Sequence, residues 1–318
     1  MLQQIINYLF FTILNLNPES ALVETLNFFI YDSIKILFLL FFMIALIGFL
    51  RSYISQEVIK KKLSKQKYGL GNISAALLGA ITPFCSCSSI PLFLSFLRAG
   101  VPLGITFSFL ITSPIVNEYL VIIMLAAFGW KVALAYVVIG ILVGVISGII
   151  LGKMNLEKHL VKDIKNSSSL KERKFINLKQ RIIYGFEEAT SITKKLWYWI
   201  LLGVGIGAII HNHVPSELIQ NIMNSTGMFS VPIAVLLGVP LYGNSAGIVP
   251  IAAALFEKGI PLGTALAFMM AITALSFPEA IILRRAMKLR LIAIFFGIVT
   301  LAIILSGYIL NALQGILY

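Results

Sequence analysis

Charge is scarce in this 318-residue chain: Asp, Glu, Lys and Arg together make up 12% of it, and there are only two cysteines and three histidines. Two thiols cannot build a disulfide framework of the kind that holds small secreted domains together. No G-x-x-x-x-G-K loop occurs, which argues against ATP hydrolysis within the chain, and no cofactor is expected. Residues 1 to 17 lack the basic n-region and small-residue cleavage site of a secretory leader, so no cleavable signal is expected. The opening "MLQQIINYLFFTILNLN" is short for a span and reads as an interfacial or short helix over residues 1–20.

What fills the space is apolar. Hydrophobic residues account for 59% of the chain, in recurring runs far larger than one soluble core could absorb. A bilayer-spanning helix needs about 20 apolar residues. Backbone polar groups in lipid must be satisfied within the segment, so the fold class is an all-α polytopic membrane protein. Continuous runs replace the alternation a β-barrel needs. The expected location is the cell (inner) membrane, with the lipid bilayer and a small-molecule substrate as partners.

The net charge of +12 does not call for nucleic acid. Of the 25 Lys and Arg residues, 19 fall in residues 51–69, 153–181 and 284–290, three stretches between apolar segments. By the positive-inside rule these face the cytoplasm. Residues 211–229 contain no Lys or Arg and belong outside.

Displacing the chain by 159 residues against itself brings Gly79 over Gly238, Ser86 over Ser245, Pro91 over Pro250 and "AGVPLG" (99–104) over "KGIPLG" (258–263). Gly and Pro carry the weight of the match because they report backbone geometry. The reading is a first transmembrane repeat over 21–152, a cytoplasmic basic linker over 153–181 and a second repeat over 182–318. Each repeat holds a long helix (22–50; 182–210), two broken segments (72–98 and 103–128; 230–257 and 263–283) and a plain span (131–151; 291–316). The loops after the two long helices have opposite charge character, which makes the repeats inverted. An inverted repeat with two re-entrant broken-helix hairpins and about six to eight transmembrane helices is a transporter architecture.

Breaks in a membrane helix survive only under protein or a water-filled cavity. One pair is "CSCSSIP" and "GNSAGIVP", where Ser88, Ser89 or Asn244 could cap the next half-helix. The other is "TSPIVNE" and "LSFPE", with Ser113 and Ser276 as candidate caps. Half-helix N-termini carry partial positive charge and free donors, favouring an anionic or oxygen-rich group. An unwound Cys85-Ser86-Cys87 would let both sulfurs converge on one soft centre such as Cu(I), Zn or trivalent arsenic. The rival reading is two small hydrophobes packed in a core. Glu118 and Glu279 are candidate proton carriers, since an intramembrane carboxylate is costly and functional by default. The rival is a static carboxylate at a helix start. Asn117, Asn244 and Ser245 are further polar candidates.

The stretches "TPFCSCSSIPLF", "RAGVPLGITFSFLITSPIVNE" and "PLYGNSAGIVPIAAALFEKGIPLGTALAFMMA" resemble the predicted permeases typified by ArsP and their YraQ-like relatives. The resemblance covers most of the chain and implies that Cys85 and Cys87 contact a trivalent organoarsenical during export. A methyl- or aryl-arsenic(III) centre offers two exchangeable positions, matching two thiolates. Two alternatives stay open: a permease of the same fold for another soft-metal, sulfur-containing or anionic substrate, and a membrane thiol-disulfide oxidoreductase. The missing C-x-x-C disfavours the latter, and the chain is not expected to be an enzyme. Assembly into a homo-oligomer is left open.

Elsewhere, Lys35 and Lys194 coincide in the repeat and read as snorkelling side chains, with Asp32 one turn from Lys35. Glu187 and Glu188 belong near the cytoplasmic start of their helix. His211 and His213 form an H-x-H read as part of an external loop. Trp197, Tyr198 and Trp199 read as interfacial aromatics, and Gly203, Gly205 and Gly207 as helix-packing positions.

Overall fold

The structure is a computed structural model and describes residues 2–13, 21–51, 69–82, 86–161, 177–213, 227–241, 245–284 and 287–317. Helix α1 (Leu2–Asn7) continues as a π-helical turn and joins α2 (Ala21–Arg51) through an Asn27 Nδ2 to Asn7 Oδ1 hydrogen bond of 3.0 Å. The first half continues with α3 (Leu70–Ile81), α4 (Ser86–Arg98), α5 (Leu103–Ile115), α6 (Glu118–Phe128) and α7 (Trp130–Lys153). The second half is α8 (Leu178–His213), α9 (Ser230–Gly238), α10 (Ser245–Glu257), α11 (Leu262–Ala274), α12 (Phe277–Leu283) and α13 (Leu289–Leu317). Among the described residues the only β pairing is one antiparallel bridge between Leu160 and Met287. The fold is all-α, as expected.

The 159-residue offset carries over into three dimensions. Helices α4 and α10 start at Ser86 and Ser245, α5 and α11 at Leu103 and Leu262, and α7 and α13 at Trp130 and Leu289. The turns joining α4 to α5 and α10 to α11 are the same object. Gly100 (φ 76°) and Gly259 (φ 89°) take the left-handed conformation that glycine reaches without a Cβ clash. Val101 N–H bonds Phe96 O and Gly100 N–H bonds Leu97 O; Ile260 to Leu255 and Gly259 to Phe256 repeat the pattern. These are Schellman closures, and they explain why the chain reads Gly, β-branched residue, Pro at both places. Pro102 and Pro261 then open the next helices with extended backbone (φ −53° and −55°).

Close packing repeats too. A Cβ on Gly79 would lie 3.0 Å from Phe109 O, and one on Gly238 would lie 3.0 Å from Phe268 O. Gly104 abuts Gly148 O just as Gly263 abuts Gly307 O. Small residues let backbones approach where lipid supplies no hydrophobic drive between helices. So α3, α5 and α7 pack together, and α9, α11 and α13 do likewise.

Every residue of α5 and of α11 is buried. A helix apolar on all sides belongs in a core rather than at a lipid surface. These two 13-residue helices form the axis of the molecule and touch one another, while α7 packs against α13 and α2 lies along α8. The outer face of α7 shows the opposite pattern: Leu134, Val138, Leu142, Ile146 and Ile150 form an exposed stripe at four-residue spacing, suited to lipid.

Length separates spans from half-spans. Among the described residues three runs are long and apolar enough to cross a membrane: Trp130–Lys153, Leu262–Leu283 and Leu289–Leu317. A fourth is the pair Leu103–Ile115 and Leu120–Phe128, which meet at 47°. Helices α3 (12 residues) and α4 (13 residues) each reach only about 20 Å, short of the roughly 30 Å hydrocarbon layer.

The glycine contacts make a paired test. Gly104→Ala and Gly263→Ala should each cost about 1–3 kcal/mol by overpacking, because the obstructing atom is backbone. Gly297, where an added Cβ would meet nothing within 4 Å, should tolerate alanine without loss. Thermal unfolding in detergent compares the three.

Candidate functional site

The breaks sit where the halves interlock. In the first half, α4 packs against α2 and α5 and reaches across to α12; in the second, α10 packs against α11 and reaches across to α6. Each hairpin's returning helix therefore lies on the broken tail of the other half. Phe128 of α6 and Phe256 of α10 meet at 6.0 Å between ring centroids on one side of this exchange. Phe93 (α4), Phe107 (α5) and Phe295 (α13) form a buried ring series, each step 5.3 Å, that ties the halves on the other.

The first break follows α3. Thr82 closes that helix by donating its backbone N–H to Leu78 O at 3.1 Å and its hydroxyl to the same oxygen at 2.8 Å. Helix α4 resumes at Ser86, so Cys87, Ser88 and Ser89 occupy its first turn. This corrects two expectations: Cys87 is helical rather than part of an unwound tip, and Ser88 and Ser89 lie past the cap position. A cap residue must precede the helix with non-helical dihedrals, which these do not. Ser89 is fully buried. Cys85 and Asn244 lie outside the described residues, as do the side chains of Ser86, Cys87, Ser88 and Ser245. Ser245 opens α10 as Ser86 opens α4.

The second breaks fall at Val116–Asn117 and Leu275–Ser276, equivalent positions under the repeat. Ser113 is not a cap: it lies inside α5, fully buried. Ser276 holds the cap position of α12 (φ −65°, ψ 146°) but makes no capping bond through its side chain. The prolines are not equivalent either, since Pro114 is inside the last turn of α5 and Pro278 in the first turn of α12. The carboxylates separate likewise. Glu118 opens α6 with its side chain exposed, whereas Glu279 is 2% exposed. Asn117 is half-buried.

Several outlying candidates find ordinary places. Lys35 Nζ stands 5.2 Å from the centroid of the Tyr31 ring, within cation-π range. His211 and His213 lie in the last turn of α8, because that helix continues to His213 rather than ending before the motif. Among the described residues no group of three or more His, Cys, Asp or Glu side chains could hold a metal ion. Trp197 and Tyr198 are exposed and meet edge to face. Gly205 faces Phe29 of α2, a packing role.

The structure adds groups that sequence did not single out. Tyr136 of α7, fully buried, donates its hydroxyl to Ile115 O at 3.1 Å, on the carbonyl side of the Val116 break. At the start of α11, Leu262 N–H bonds Gln314 Oε1 (3.0 Å) and Thr264 N–H bonds Asn311 Oδ1 (3.2 Å), so side chains of α13 cap it from across the fold. Asn72 Nδ2 bonds Ser108 Oγ at 2.9 Å between α3 and α5. Each partner is 21 to 52 residues distant, beyond the reach of any local sequence signal.

Buried half-helices paired across two repeats, with Val116, Leu275 and Ser276 buried at the second breaks, define a multi-pass α-helical membrane protein of the permease class. The family model described as a predicted permease, of the ArsP type, matches residues 21–312, and the chain belongs to that family. It is 24% identical over 297 residues to a protein of Streptococcus mutans described as a putative two-component membrane permease complex subunit, covering 93% of this chain and 94% of that one. It is 22% identical to a UPF0718 protein of Methanocaldococcus jannaschii, covering 92% and 96%. A UPF0718 protein of Bacillus subtilis, YcgR, is 29% identical over 119 residues, covering 37% of this chain and 40% of that one. No solved structure matches the chain.

The ring series that closes the site is testable. Phe107→Ala should cost about 3–5 kcal/mol, since it empties a fully buried position touching both Phe93 and Phe295. The unfolding temperature in detergent reads the loss.

Proposed function

We propose that this permease exports trivalent organoarsenicals, methyl- or aryl-arsenic(III), through a two-thiol site formed by Cys85 and Cys87. The observation that carries the reading is positional. The only two thiols of the chain bracket the start of α4, and α4 is the helix that packs on α5 of its own half and on α12 of the other. In this reading a ligand at that start is held by the helix that joins the two repeats.

The chemistry balances simply. An organoarsenic(III) dihydroxide has one bond to carbon and two to exchangeable oxygens. Two thiols displace those oxygens, forming two sulfur–arsenic bonds and releasing two waters. The reverse exchange frees the cargo on the outer side. Arsenite has three exchangeable positions and would keep one unfilled here. Ser86, Ser88, Ser89, Asn117, Asn244 and Ser245 supply the polar lining.

Orientation follows charge, with residues 51–69, 153–181 and 284–290 on the cytoplasmic side and the two repeats inverted. The inversion brings the cargo from cytoplasm to exterior as one opening replaces the other. Buried Glu279 carries the coupling proton, and exposed Glu118 is the second candidate. The Streptococcus relative is described as one subunit of a two-component complex. A second chain is accordingly a candidate partner here, alongside self-association.

Cys85→Ser and Cys87→Ser should each abolish resistance to methylarsenite in a sensitised host while leaving membrane expression intact. Resistance equal to the unaltered protein would remove the thiol site and favour another cargo. Glu279→Gln should leave cargo binding in place but make uptake into everted vesicles insensitive to an imposed pH gradient. Uptake that still follows the gradient would take Glu279 out of the coupling.

A further inference from the structure

Two of the three basic stretches come together in the fold. After α7 ends at Lys153, Asn155 takes the left-handed conformation (φ 49°, ψ 46°) and turns the chain back. A short 3-10 turn follows, Leu156–His159, which packs against α13 with Leu156 buried. Leu160, also buried, pairs with buried Met287 in the antiparallel bridge, and Lys288 N–H bonds His159 O at 2.9 Å. The start of the charged linker is thereby clasped to the junction of α12 and α13. Five cations border the clasp: Lys153, Lys158, Arg284, Lys288 and Arg290, all exposed. None of them forms an ion pair with another described residue. Glu157 is the one acid within residues 153–161 and 287–290. Apolar surface adjoins these charges. Met154 is exposed and continues the four-residue stripe on the outer face of α7 that reaches Ile150, and Leu289 is exposed beside Lys288.

We propose that this clasp is a binding site for an anionic phospholipid, with Lys158 and Lys288 on the phosphate and the acyl chains laid along Met154 and the α7 stripe. The bridge sets the segments that carry the two lysines side by side, and like charges held as neighbours repel. Buried Leu156, Leu160 and Met287 hold them there nonetheless. A phosphodiester between them removes the repulsion. Lys153, Arg284 and Arg290 stand around that point and add attraction over a longer range. The positive-inside rule accounts for cations on this side of the membrane, but it counts charge in loops of any shape and calls for no clasp. The same rule assigns the clasp to the cytoplasmic leaflet, whose anionic headgroups attract basic segments beside a membrane helix. A soluble anion or an acidic protein would have no use for exposed Met154 and Leu289, whereas a lipid brings chains to cover them. The clasp lies away from the breaks, so the site is separate from the cargo site proposed above.

The test titrates the full chain, purified in a neutral detergent, with dioleoyl phosphatidylglycerol and separately with dioleoyl phosphatidylcholine. Native mass spectrometry reads the lipid retained. Phosphatidylglycerol should be held in preference to phosphatidylcholine, which has the same chains and no net charge. Lys158→Gln and Lys288→Gln should each weaken that binding about fivefold, the share of one cation at an anionic surface. Lys158→Arg should keep it, and so should Lys131→Gln, an exposed cation at the other end of α7. Leu160→Asn leaves every cation in place but loosens the clasp, and should weaken binding as well. Equal retention of the two lipids, or binding unchanged in either glutamine variant, overturns the site and leaves the cations to orientation alone. Binding unchanged in Leu160→Asn overturns the clasp. Glycerol 3-phosphate should not compete; displacement of the lipid by it at matched concentration overturns the assignment to a lipid in favour of a soluble phosphate. The titration involves no cargo, so its outcome is distinct from the fate of the arsenical reading.

Discussion

A backbone carbonyl or amide inside a bilayer has no water to turn to, and this protein contains helix breaks in both of its halves. Everything else in the fold answers that demand. Thr82 covers the end of α3, Tyr136 covers the end of α5, and Asn311 with Gln314 cover the start of α11. The two helices that run into the second breaks, α5 and α11, are wholly buried, and α7 and α13 pack along them. Glycine at 79, 104, 148, 238, 263 and 307 allows that shielding to be tight enough to work.

Duplication then turns a structural cost into a working part. Because each returning helix, α4 or α10, rests on the broken tail of the opposite half, a shift in one repeat is felt by the other. The duplication is close in backbone and loose in chemistry. Thiols occur only in the first copy, buried Glu279 of the second stands where the first has Leu120, and the phenol of Tyr136 becomes the plain ring of Phe295. A permease needs its two copies to have the same geometry so that their shapes can exchange.

Much of the fold was legible in the sequence for a physical reason. Apolar runs and Gly-Pro punctuation report backbone demands directly, so the expected helices at 22–50, 103–128 and 131–151 appear at Ala21–Arg51, Leu103–Phe128 with a break, and Trp130–Lys153. The Gly100 and Gly259 turns were visible because only glycine tolerates that φ cheaply. The site was harder to read. "TSPIVNE" and "LSFPE" look alike in residue type, yet their prolines and glutamates do not share one offset, and the true equivalents of Glu118 and Glu279 are Phe277 and Leu120. Composition suggested a match that register denies. The phenol and amide caps escaped entirely, since a hydrogen bond between residues 21 or 47 apart leaves no local signature.

The account stands most directly on what surrounds arsenic when the protein holds it. X-ray absorption at the arsenic edge, on the full chain in vesicles loaded with phenylarsine oxide, counts those neighbours without altering a residue. One carbon and two sulfur neighbours per arsenic, lost to oxygen when Cys85 and Cys87 are both serine, is the result predicted here. Oxygen neighbours alone in the unaltered protein would contradict it.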